Sequence, residues 1–439
     1  MPLDRRRFLV TTGMSLAGTA LARAASPQTS PASGAAPPVA GSAPDWPWVR
    51  AQFALRPDLA HFAMFYLVSH PRPVREAIEA LRRAIDENPF EVVEHGLFTK
   101  PEEVRRAVAA YLGGRPEDVA LTRCTTEGLA LIYSGLRLRP GQEILTTAHD
   151  HYVHHESIRL AAGRTGAETR RVALYEEGSR AGRDEVVERL RRAVRPATRV
   201  VGLTWVHSST GVKLPIRSMA AVIAEVNRSR DPADQILLVV DGLHGFGVED
   251  EAVADMGCDF FAAGTHKWIF GPRGTGIVWG RREAWQQAQP TVPAFELGPY
   301  LSWQRGVEPG PTQGAWMSPG GFHAYEHMWA LPAAFAFHRE IGRARIAARI
   351  HELNSRIKDG LAGMRHVTLH TPRDPGLSSG LVAFEVAGLT PDDVVKRLRE
   401  RSIIASTSPY LQSFARLAAS LVNTPEEVDR AVAAVGALA

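Results

Sequence analysis

Residues 239–244 read VVDGLH and residues 264–268 read GTHKW, and these two stretches are the most informative in the chain about its fold. The first places a carboxylate, Asp241, at the end of an apolar strand, where open parallel sheets place their ligands. A buried acid at that position needs a cationic partner. The second stretch follows a further apolar strand and supplies Lys267 between a histidine and a tryptophan. Together they predict an α/β protein with a ligand site at one edge of a parallel sheet.

A lysine at position 267 is an unusual choice in this chain, because five of its 51 basic residues are lysines and the rest are arginines. Arginine cannot form a Schiff base. A partly desolvated lysine can, since burial lowers its pKa and frees the amine. The sequence therefore points to covalent chemistry at Lys267. The structural alternative is a solvated lysine and an Asp241 that caps the next turn.

The segments around these motifs alternate short apolar runs with amphipathic stretches. Apolar runs separated by helices predict a mainly parallel sheet covered on both faces. The strands are expected at residues 119–121, 144–147, 199–205, 236–240 and 259–262. Beyond residue 331, long helices around short strands predict a smaller α+β domain. Its helices are expected at residues 333–357, 391–401 and 425–438.

Length and composition agree with a folded protein of more than one domain. A chain of 439 residues typically forms two or three domains. Its hydrophobic content of 45% and its two cysteines exclude a disordered chain and a disulfide scaffold.

The first 24 residues are typical of an export signal. Arg5 and Arg6 precede a weakly hydrophobic run, and residues 22–24, ARA, form a small-residue cleavage pattern. The arrangement resembles the signal that the twin-arginine export machinery recognises on folded proteins. An ordinary Sec signal or a disordered tail is the alternative. The run is too short and too rich in Gly, Thr and Ser for a stable membrane span, so we expect a periplasmic or secreted protein.

Residues 25–44 are rich in Ala, Ser, Pro and Gly and carry no charge, which is the composition of a flexible linker. The chain has a formal net charge of +4, and most of that charge lies in residues 1–24. The remainder is close to neutral. We therefore expect no nucleic-acid partner.

Residues 122–128, TRCTTEG, form a candidate anion site. A strand is expected to end at Arg123 and a helix to begin near Glu127. The free N–H groups and the positive dipole of a helix N-terminus attract an anion, and Thr125 and Thr126 add hydrogen-bond donors. The same segment is also compatible with a simple threonine helix cap.

These motifs, in this order, resemble the class V branch of the fold-type I enzymes that use pyridoxal 5′-phosphate (PLP). That branch includes cysteine desulfurases and isopenicillin N epimerases. The resemblance runs from about Pro71 to the C-terminus. It implies an N-terminal segment at residues 45–70, a large PLP-binding domain with a seven-stranded type of sheet at residues 71–330, and a small C-terminal domain at residues 331–439. It also implies a homodimer.

The resemblance implies roles for the residues already quoted. Asp241 would pair with the pyridine nitrogen of PLP and keep it protonated, and Lys267 would be the catalytic lysine that binds the cofactor covalently. The Thr-Thr pair and His266 would contact the phosphate. His244 would donate a hydrogen bond to the phenolic oxygen of the ring.

Three further residues complete the expected site. An aromatic ring at the position of Tyr152 stacks on the PLP ring in this family. Ser208 would lie close to the cofactor and the substrate, although it also suits ordinary turn chemistry. Arg416 would grip the substrate carboxylate through a two-pronged hydrogen bond. The expected substrate is therefore a small amino-acid-type molecule with a carboxylate.

Residues 149–156, HDHYVHHE, support a competing hypothesis. Four histidines and two acids in eight positions suit zinc, and His149 and His151 would share one face of a strand. Such a cluster would be the centre of a zinc-dependent hydrolase. No distant second cluster of acids and histidines stands out in the sequence, and the family resemblance assigns the segment to the cofactor. We therefore expect no metal.

Departures from the family narrow the reaction. Cysteine desulfurases need a nucleophilic cysteine on a loop shortly before Arg416, and residues 401–415 contain none. Cys124 and Cys258 lie elsewhere in the chain. An isopenicillin N epimerase-like enzyme, acting at the Cα as an epimerase, racemase or aminotransferase, is therefore favoured. A PLP-dependent C–S or β-eliminating lyase stays open. The bulky run FAMFY at residues 62–66 indicates an apolar or aromatic pocket.

Overall fold

The computed structural model describes residues 43–438, in which strands and helices alternate through the first two thirds. The predicted export signal, and all but the last two residues of the predicted linker, lie outside the described residues. The strands are β1 Ala60–His61, β2 Val119–Thr122, β3 Glu143–Thr147, β4 Glu168–Val172, β5 Thr198–Thr204, β6 Leu237–Asp241, β7 Phe260–Gly264, β8 Gly276–Gly280, β9 Val367–Leu369, β10 Val382–Val386, β11 Ile403–Ile404, β12 Ser406–Thr407 and β13 Ala415–Leu417.

The helices are α1 Trp46–Ala51, α2 Arg72–Glu87, α3 Pro89–Gly96, α4 Lys100–Leu112, α5 Thr125–Gly135, α6 Tyr152–Thr165, α7 Arg183–Ala193, α8 Ile216–Asn227, α9 Arg282–Trp285, α10 Leu297–Arg305, α11 Tyr325–Ile341, α12 Arg343–Ala362, α13 Pro391–Arg399 and α14 Pro425–Gly436. Among residues 43–438, no helix combines the length and the apolar character that a membrane crossing requires.

Seven strands form the central sheet in the order β2-β8-β7-β6-β5-β3-β4. The strands from β7 to β4 run parallel to one another, and β8 runs antiparallel to both of its neighbours. Every residue of β5, β6 and β7 is buried. The expected mainly parallel sheet with seven strands is confirmed.

Burial on both faces explains why these strands are apolar throughout. In β6, Leu238 and Val240 pack into one hydrophobic cluster, whereas Leu237 and Val239 pack into a second cluster. Successive side chains of a strand point to opposite faces, so the two clusters lie on the two sides of the sheet. A strand in this position has no polar face to present to solvent.

The C-terminal part is built around a four-stranded antiparallel sheet of order β12-β13-β10-β9. A separate hydrophobic cluster joins this sheet to α12 and α14 through Leu353, Val428 and Phe384. The N-terminal segment reaches the same region, because β1 pairs in parallel with β11. The predicted α+β character of this part agrees with the structure.

The single helix expected at residues 333–357 is wrong. The structure has two helices, α11 and α12, which are separated by Gly342. Gly342 has a φ of 94°, a backbone conformation that a residue with a side chain rarely adopts. Helix α11 packs against α2 and α4, within the hydrophobic cluster that covers one face of the central sheet, and it spans the boundary predicted after residue 330; the division into two domains stays a prediction.

Candidate functional site

A cavity of about 870 Å³ opens at the carboxyl ends of β5, β6 and β7. Its wall combines residues of these strand ends, the first turn of α5, the loop after β7, and β13. Eight of the nine site residues predicted from the sequence line it: Thr125, Thr126, Ser208, Asp241, His244, His266, Lys267 and Arg416. Residues that are up to 291 positions apart in sequence thus meet at the edge where an open parallel sheet binds its ligand.

Asp241 is the last residue of β6 and is 3% exposed. The strand is fixed on both sides, because Asp241 is in register with Thr204 of β5 and Ala262 of β7. One hydrogen bond reaches its carboxylate within residues 43–438, from the backbone N–H of Leu243 at 3.1 Å. Burial raises the pKa of Asp241 to about 7. A buried carboxylate with spare acceptor capacity favours a cationic or proton-bearing ligand.

Lys267 lies in the loop that follows β7, with its Nζ 3.4 Å from Nε2 of His244. Burial lowers the pKa of Lys267 to about 8, although the charge of Asp241 acts in the opposite direction. An amine with this pKa is neutral in about a tenth of molecules at pH 7, far more than an ordinary lysine. Lys267 is therefore prepared to act as a nucleophile or as a base.

His244 is held in one tautomer. The indole Nε1–H of Trp268 donates to Nδ1 of His244 at 3.3 Å, so the proton of a neutral imidazole lies on Nε2. Burial lowers the pKa of His244 well below its ordinary value, and the charges of Lys267 and Arg416 add to the effect. His244 is thus a neutral donor that faces the cavity beside the lysine.

The first turn of α5 forms the anion-binding end of the cavity. Its cap, Cys124, is extended, and its side chain makes no capping hydrogen bond. Thr125 ties the helix to the sheet by accepting the backbone N–H of Gly264 at 2.7 Å. Strand β8 approaches closely, since a Cβ on Gly276 would lie 3.0 Å from the backbone of Cys124. The helix N–H groups, with Thr126 and His266 on the same wall, present donors for an anion.

Arg416 of β13 is 4% exposed and has no acidic partner within residues 43–438. Its two Nη groups donate to the carbonyl oxygens of Ser208 at 2.8 Å and Thr407 at 2.6 Å, and its Nε–H is buried without a partner. The guanidinium lies 4.8 Å from the ring centre of Phe65. Burial lowers the pKa of Arg416 to about 10. A rigid, buried and unpaired cation calls for an anionic group from a ligand.

Ser208 joins Arg416 to a residue that the sequence did not single out. Its carbonyl holds the guanidinium, and its Oγ lies 2.7 Å from the hydroxyl of Tyr410. Tyr410 sits on a hairpin loop closed by Ser408, which accepts the backbone N–H of Phe414 at 2.9 Å. The loop therefore holds Ser208 and Tyr410 beside Arg416.

Tyr152, the ninth predicted residue, does not line the cavity. Its side chain is 67% exposed, and the preceding residue, His151, lies on the wall instead. The cause is local: α6 begins at Tyr152 and His151 is its cap, with its Nδ1 accepting the backbone N–H of Val153. The helix turns Tyr152 outward. His151, and not Tyr152, is thus the ring of this segment that lines the cavity.

The residues proposed as zinc ligands are dispersed. His154 bonds with the hydroxyl of Tyr133, His155 with the carbonyl of Thr147, and Glu156 with Arg159. Within residues 43–438, no group of three or more His, Cys, Asp or Glu side chains is arranged to hold a metal ion. The geometry gives no support to the zinc-dependent hydrolase.

The donor set of the cavity fits PLP. The cofactor presents an aldehyde, a basic pyridine nitrogen and a phosphate. The cavity presents the amine of Lys267, the free carboxylate oxygen of Asp241 and the N-terminus of α5, which match these three groups one by one. Its volume lies within the range that such ligands occupy, roughly 300–1,000 Å³.

The fold and this donor set define a PLP-dependent enzyme of fold type I. Comparison with protein families makes the assignment more particular, because the model of the family described as Aminotransferase class-V matches residues 77–430. The chain belongs to the aminotransferase class V family.

Curated relatives cover most of the chain. An isopenicillin N epimerase from Streptomyces clavuligerus is 28% identical over an alignment of 407 residues that covers 90% of this chain and 98% of the relative. A cysteine desulfurase from Pectobacterium carotovorum subsp. carotovorum (strain PC1) is 26% identical over an alignment of 348 residues that covers 76% of this chain and 80% of the relative.

Solved structures share the fold. A mutant of C-DES with glycine covalently linked to its PLP cofactor aligns with a TM-score of 0.78 at 24% identity, covering 90% of this chain and 99% of that chain. The apo structure of a cysteine desulfurase from Thermococcus onnurineus NA1 aligns with a TM-score of 0.75 at 21% identity, covering 89% and 97%. The predicted α/β fold of the PLP-dependent transferases is thereby confirmed.

Proposed function

We propose that this enzyme moves a proton at the Cα of an amino acid whose carboxylate is bound by Arg416. One observation carries the proposal: the buried guanidinium of Arg416 lacks an acidic partner within residues 43–438 and shares its cavity with Lys267 and Asp241. A substrate carboxylate supplies the missing charge. Its amino group is then directed toward the lysine end of the cavity.

We assign the chemistry to two residues of the chain. When bound, PLP supplies an electron-withdrawing ring that weakens the Cα–H bond of an attached amino acid. Lys267, with its lowered pKa, accepts the Cα proton at Nζ and returns it. Asp241 holds a proton between its carboxylate and the ring nitrogen, because burial favours this proton-bearing pair over a free carboxylate.

Other residues of the cavity are proposed to hold the cofactor and the substrate in place beside Lys267 and Asp241. His244 offers its Nε2–H beside Lys267 and suits the phenolic oxygen of the ring. The first turn of α5 and His266 suit the phosphate, and His151 replaces Tyr152 as the proposed stacking residue. Ser208 orients Arg416 through its carbonyl oxygen.

We favour epimerisation or transamination over sulfur chemistry. The relative of which 98% of the length aligns with this chain is named isopenicillin N epimerase. Sulfur transfer from cysteine needs a thiol near the substrate, and the loop before Arg416, residues 406–414, carries Ser, Thr and Tyr but no Cys. Cys258 is fully buried and Cys124 caps α5 at the phosphate end. Elimination of a β substituent needs no thiol and is the alternative outcome of the experiment below.

The experiment measures proton exchange at the Cα in deuterated water for D- and L-amino acids with apolar, aromatic and acidic side chains. We expect the loss of the Cα–H NMR signal with inversion or keto acid formation, and a fall in kcat/KM by about 100-fold or more in Arg416→Gln. The matched control is Arg349→Gln, since Arg349 is also a buried arginine but bonds to Glu352 and the carbonyl of Asn423. Sulfide or ammonia release without Cα inversion would shift the proposal to a lyase.

We also propose that the active protein is a homodimer. In support, apolar side chains are exposed along residues 292–322, including Trp303 at 75% and Phe322 at 80%. Large exposed apolar patches are typical of protein interfaces. Light scattering is expected to give twice the chain mass, and Trp303→Glu is expected to lower it. A wild-type monomer with full activity would contradict the proposal.

Export by the twin-arginine machinery remains a proposal as well, and it is supported by the Arg5-Arg6 pair and the run that follows. Cell fractionation tests it: the wild-type chain is expected in the periplasm or medium, and a chain with both arginines changed to lysine in the cytoplasm. Export of the double variant at the wild-type level would contradict it.

A further inference from the structure

Asp150 is a buried carboxylate that the proposed mechanism does not use. It is 2% exposed and does not line the cavity. Its Oδ2 accepts the hydroxyl of Thr146 and the backbone N–H of Thr147, both at 2.7 Å, and its Oδ1 accepts the backbone N–H of Thr204 at 2.9 Å. A buried carboxylate needs such donors to remain ionised.

The three hydrogen bonds join the ends of two neighbouring strands. Thr146 and Thr147 end β3, and Thr204 ends β5. Strand β3 leaves the sheet at Thr147, so the N–H of Thr204 has no further strand partner on that side. The carboxylate of Asp150 takes the place of that partner.

The same residue connects to both sides of the cofactor site. Thr204 is in register with Asp241 on the adjacent strand, and the N–H of Trp205 donates to the carbonyl of Asp241 at 2.8 Å. In the other direction, Asp150 directly precedes His151, the cavity-wall residue that caps α6. Loss of Asp150 would loosen both walls.

Asp150 also places a negative charge beneath the cavity. Burial alone would raise its pKa, but His154 and His207, which are protonated at the acid pH where Asp150 titrates, and the hydrogen bonds from Thr146 and Thr204 outweigh burial and lower the pKa to about 2. The nearest imidazole nitrogen, Nε2 of His207, is 3.8 Å from Oδ1.

Further groups face the same carboxylate. His154 and His207 are completely buried, and burial lowers their pKa values to about 4 and about 3, so both are neutral near pH 7. The hydroxyl of Tyr133 is hydrogen-bonded to His154 at 2.7 Å, and the hydroxyl of Tyr175 to His207 at 2.8 Å. The charge of Asp150 is therefore not cancelled by its own surroundings, and it raises the proton affinity of Asp241.

We propose that Asp150 is a positioning residue of the cofactor site, which holds the ends of β3 and β5 and, through its negative charge, favours a proton held between Asp241 and the cofactor ring without touching the cofactor. The inference rests on the proposed assignment of Asp241 and Lys267. Wild-type protein that binds PLP at Lys267 is therefore the reference for every measurement, so failure of that assignment is seen separately.

The test is Asp150→Asn, which keeps the shape, removes the charge and replaces one of the two acceptor oxygens with a donor. We expect a folded protein that still binds PLP, with a dissociation constant for PLP raised about threefold or more in a fluorescence titration of the apoprotein. The pH midpoint of the visible absorbance band of the loaded protein is expected to move to lower pH by about half a unit or more, because removal of a negative charge disfavours the protonated form.

The matched control is Asp259→Asn. Asp259 is a buried carboxylate that accepts a strand N–H, from Leu238 at 2.7 Å, and it lies away from the cavity. The control is expected to lower the melting temperature without moving the pH midpoint. A folded Asp150→Asn with the wild-type midpoint and PLP affinity, or an equal midpoint shift in the control, would overturn the proposal.

A milder variant covers the case in which Asp150→Asn does not fold. Thr146→Val removes one of the three donors and leaves the charge in place. It is expected to raise the PLP dissociation constant about twofold with little change in the midpoint. Wild-type PLP affinity in folded Thr146→Val, when Asp150→Asn fails to fold, would assign Asp150 to fold stability alone and overturn the proposal.

Discussion

At the scale of single residues, Asp241 is destabilising in the apoprotein. Its folded-state pKa is raised to about 7 by burial, so the stability present below its ordinary pKa of 3.8 is lost as pH rises through about 7. We predict that Asp241→Asn raises the stability of the apoprotein at pH 8 by roughly 1–3 kcal/mol, measured by urea unfolding, and weakens PLP binding at least tenfold.

Asp259→Asn provides the comparison for this prediction. Arg281 and a backbone N–H pair with the Asp259 carboxylate, so its replacement is expected to destabilise the protein. An Asp241→Asn apoprotein that is less stable than wild type at pH 8 would show that the carboxylate is paired inside the apoprotein.

Lys267 gives a pH prediction of its own. Burial lowers its pKa to about 8, so the fraction of Lys267 that carries a neutral amine increases as pH rises through that value. The rate of covalent PLP addition to the apoprotein, followed by stopped-flow absorbance, is expected to rise with a midpoint near pH 8. A midpoint near the ordinary lysine value of 10.5 would mean that the amine is solvated.

Most of the candidate site was predictable at this scale, because its chemistry depends on rare residue types. Lys267 stood out in a chain that prefers arginine, and Asp241 stood out at the end of an apolar strand. His151 was missed in favour of Tyr152, since the choice between adjacent residues depends on where α6 begins. Asp150 and Tyr410 were missed because they form hydrogen bonds with residues on other strands and loops. Such distant contacts leave no pattern in the sequence.

At the scale of elements, the approach of β8 to the start of α5 leaves no room for a larger side chain on β8. A Cβ on Gly276 would lie 2.9 Å from Oγ1 of Thr122 and 3.0 Å from the backbone of Cys124. We predict that Gly276→Ala displaces the first turn of α5 and weakens PLP binding about tenfold or more, measured by titration of the apoprotein.

Gly163→Ala is the control for the helix-start prediction. Gly163 lies inside α6, and a Cβ there would meet nothing within 4 Å. Because alanine is the better helix former, this change is expected to stabilise the protein by about 0.5–1 kcal/mol and to leave PLP binding unchanged. Equal PLP affinity in the two variants would contradict the role given to the start of α5.

Helices and strands were predictable where the pattern of apolar residues within the segment itself indicates its structure. The buried strands β5 and β6 were found at their places because both faces are covered. The break between α11 and α12 was missed, since the helical period continues across Gly342, whose φ of 94° is not visible in the hydrophobic pattern. The antiparallel direction of β8 was not predicted either, because strand direction depends on the path of the chain between partners.

At the scale of the whole molecule, buried neutral histidines predict acid sensitivity. Burial lowers the pKa values of His154, His207 and His338 to about 4, 3 and 3. A histidine whose pKa is lower in the folded protein than in the unfolded chain contributes its full stability above the unfolded pKa, near 6.5. That contribution is lost as pH falls toward the folded pKa. We predict a fall in the free energy of unfolding of roughly 1–2 kcal/mol per histidine between pH 6.5 and 4.

Thermal unfolding of the apoprotein from pH 7 to pH 4 measures this loss. His338→Gln is the informative variant, since His338 lies on α11, away from the cavity, and its replacement is expected to flatten the curve. A melting temperature that does not change over this interval would contradict the prediction.

The central claim is that Lys267 carries the cofactor. Borohydride reduction of the purified yellow protein, followed by peptide mass spectrometry, tests it directly, and Lys358 is the internal control because it is a buried lysine remote from the cavity. We expect loss of the colour and a single pyridoxyl label on Lys267. A label on another lysine, or a protein that binds no PLP, would contradict it.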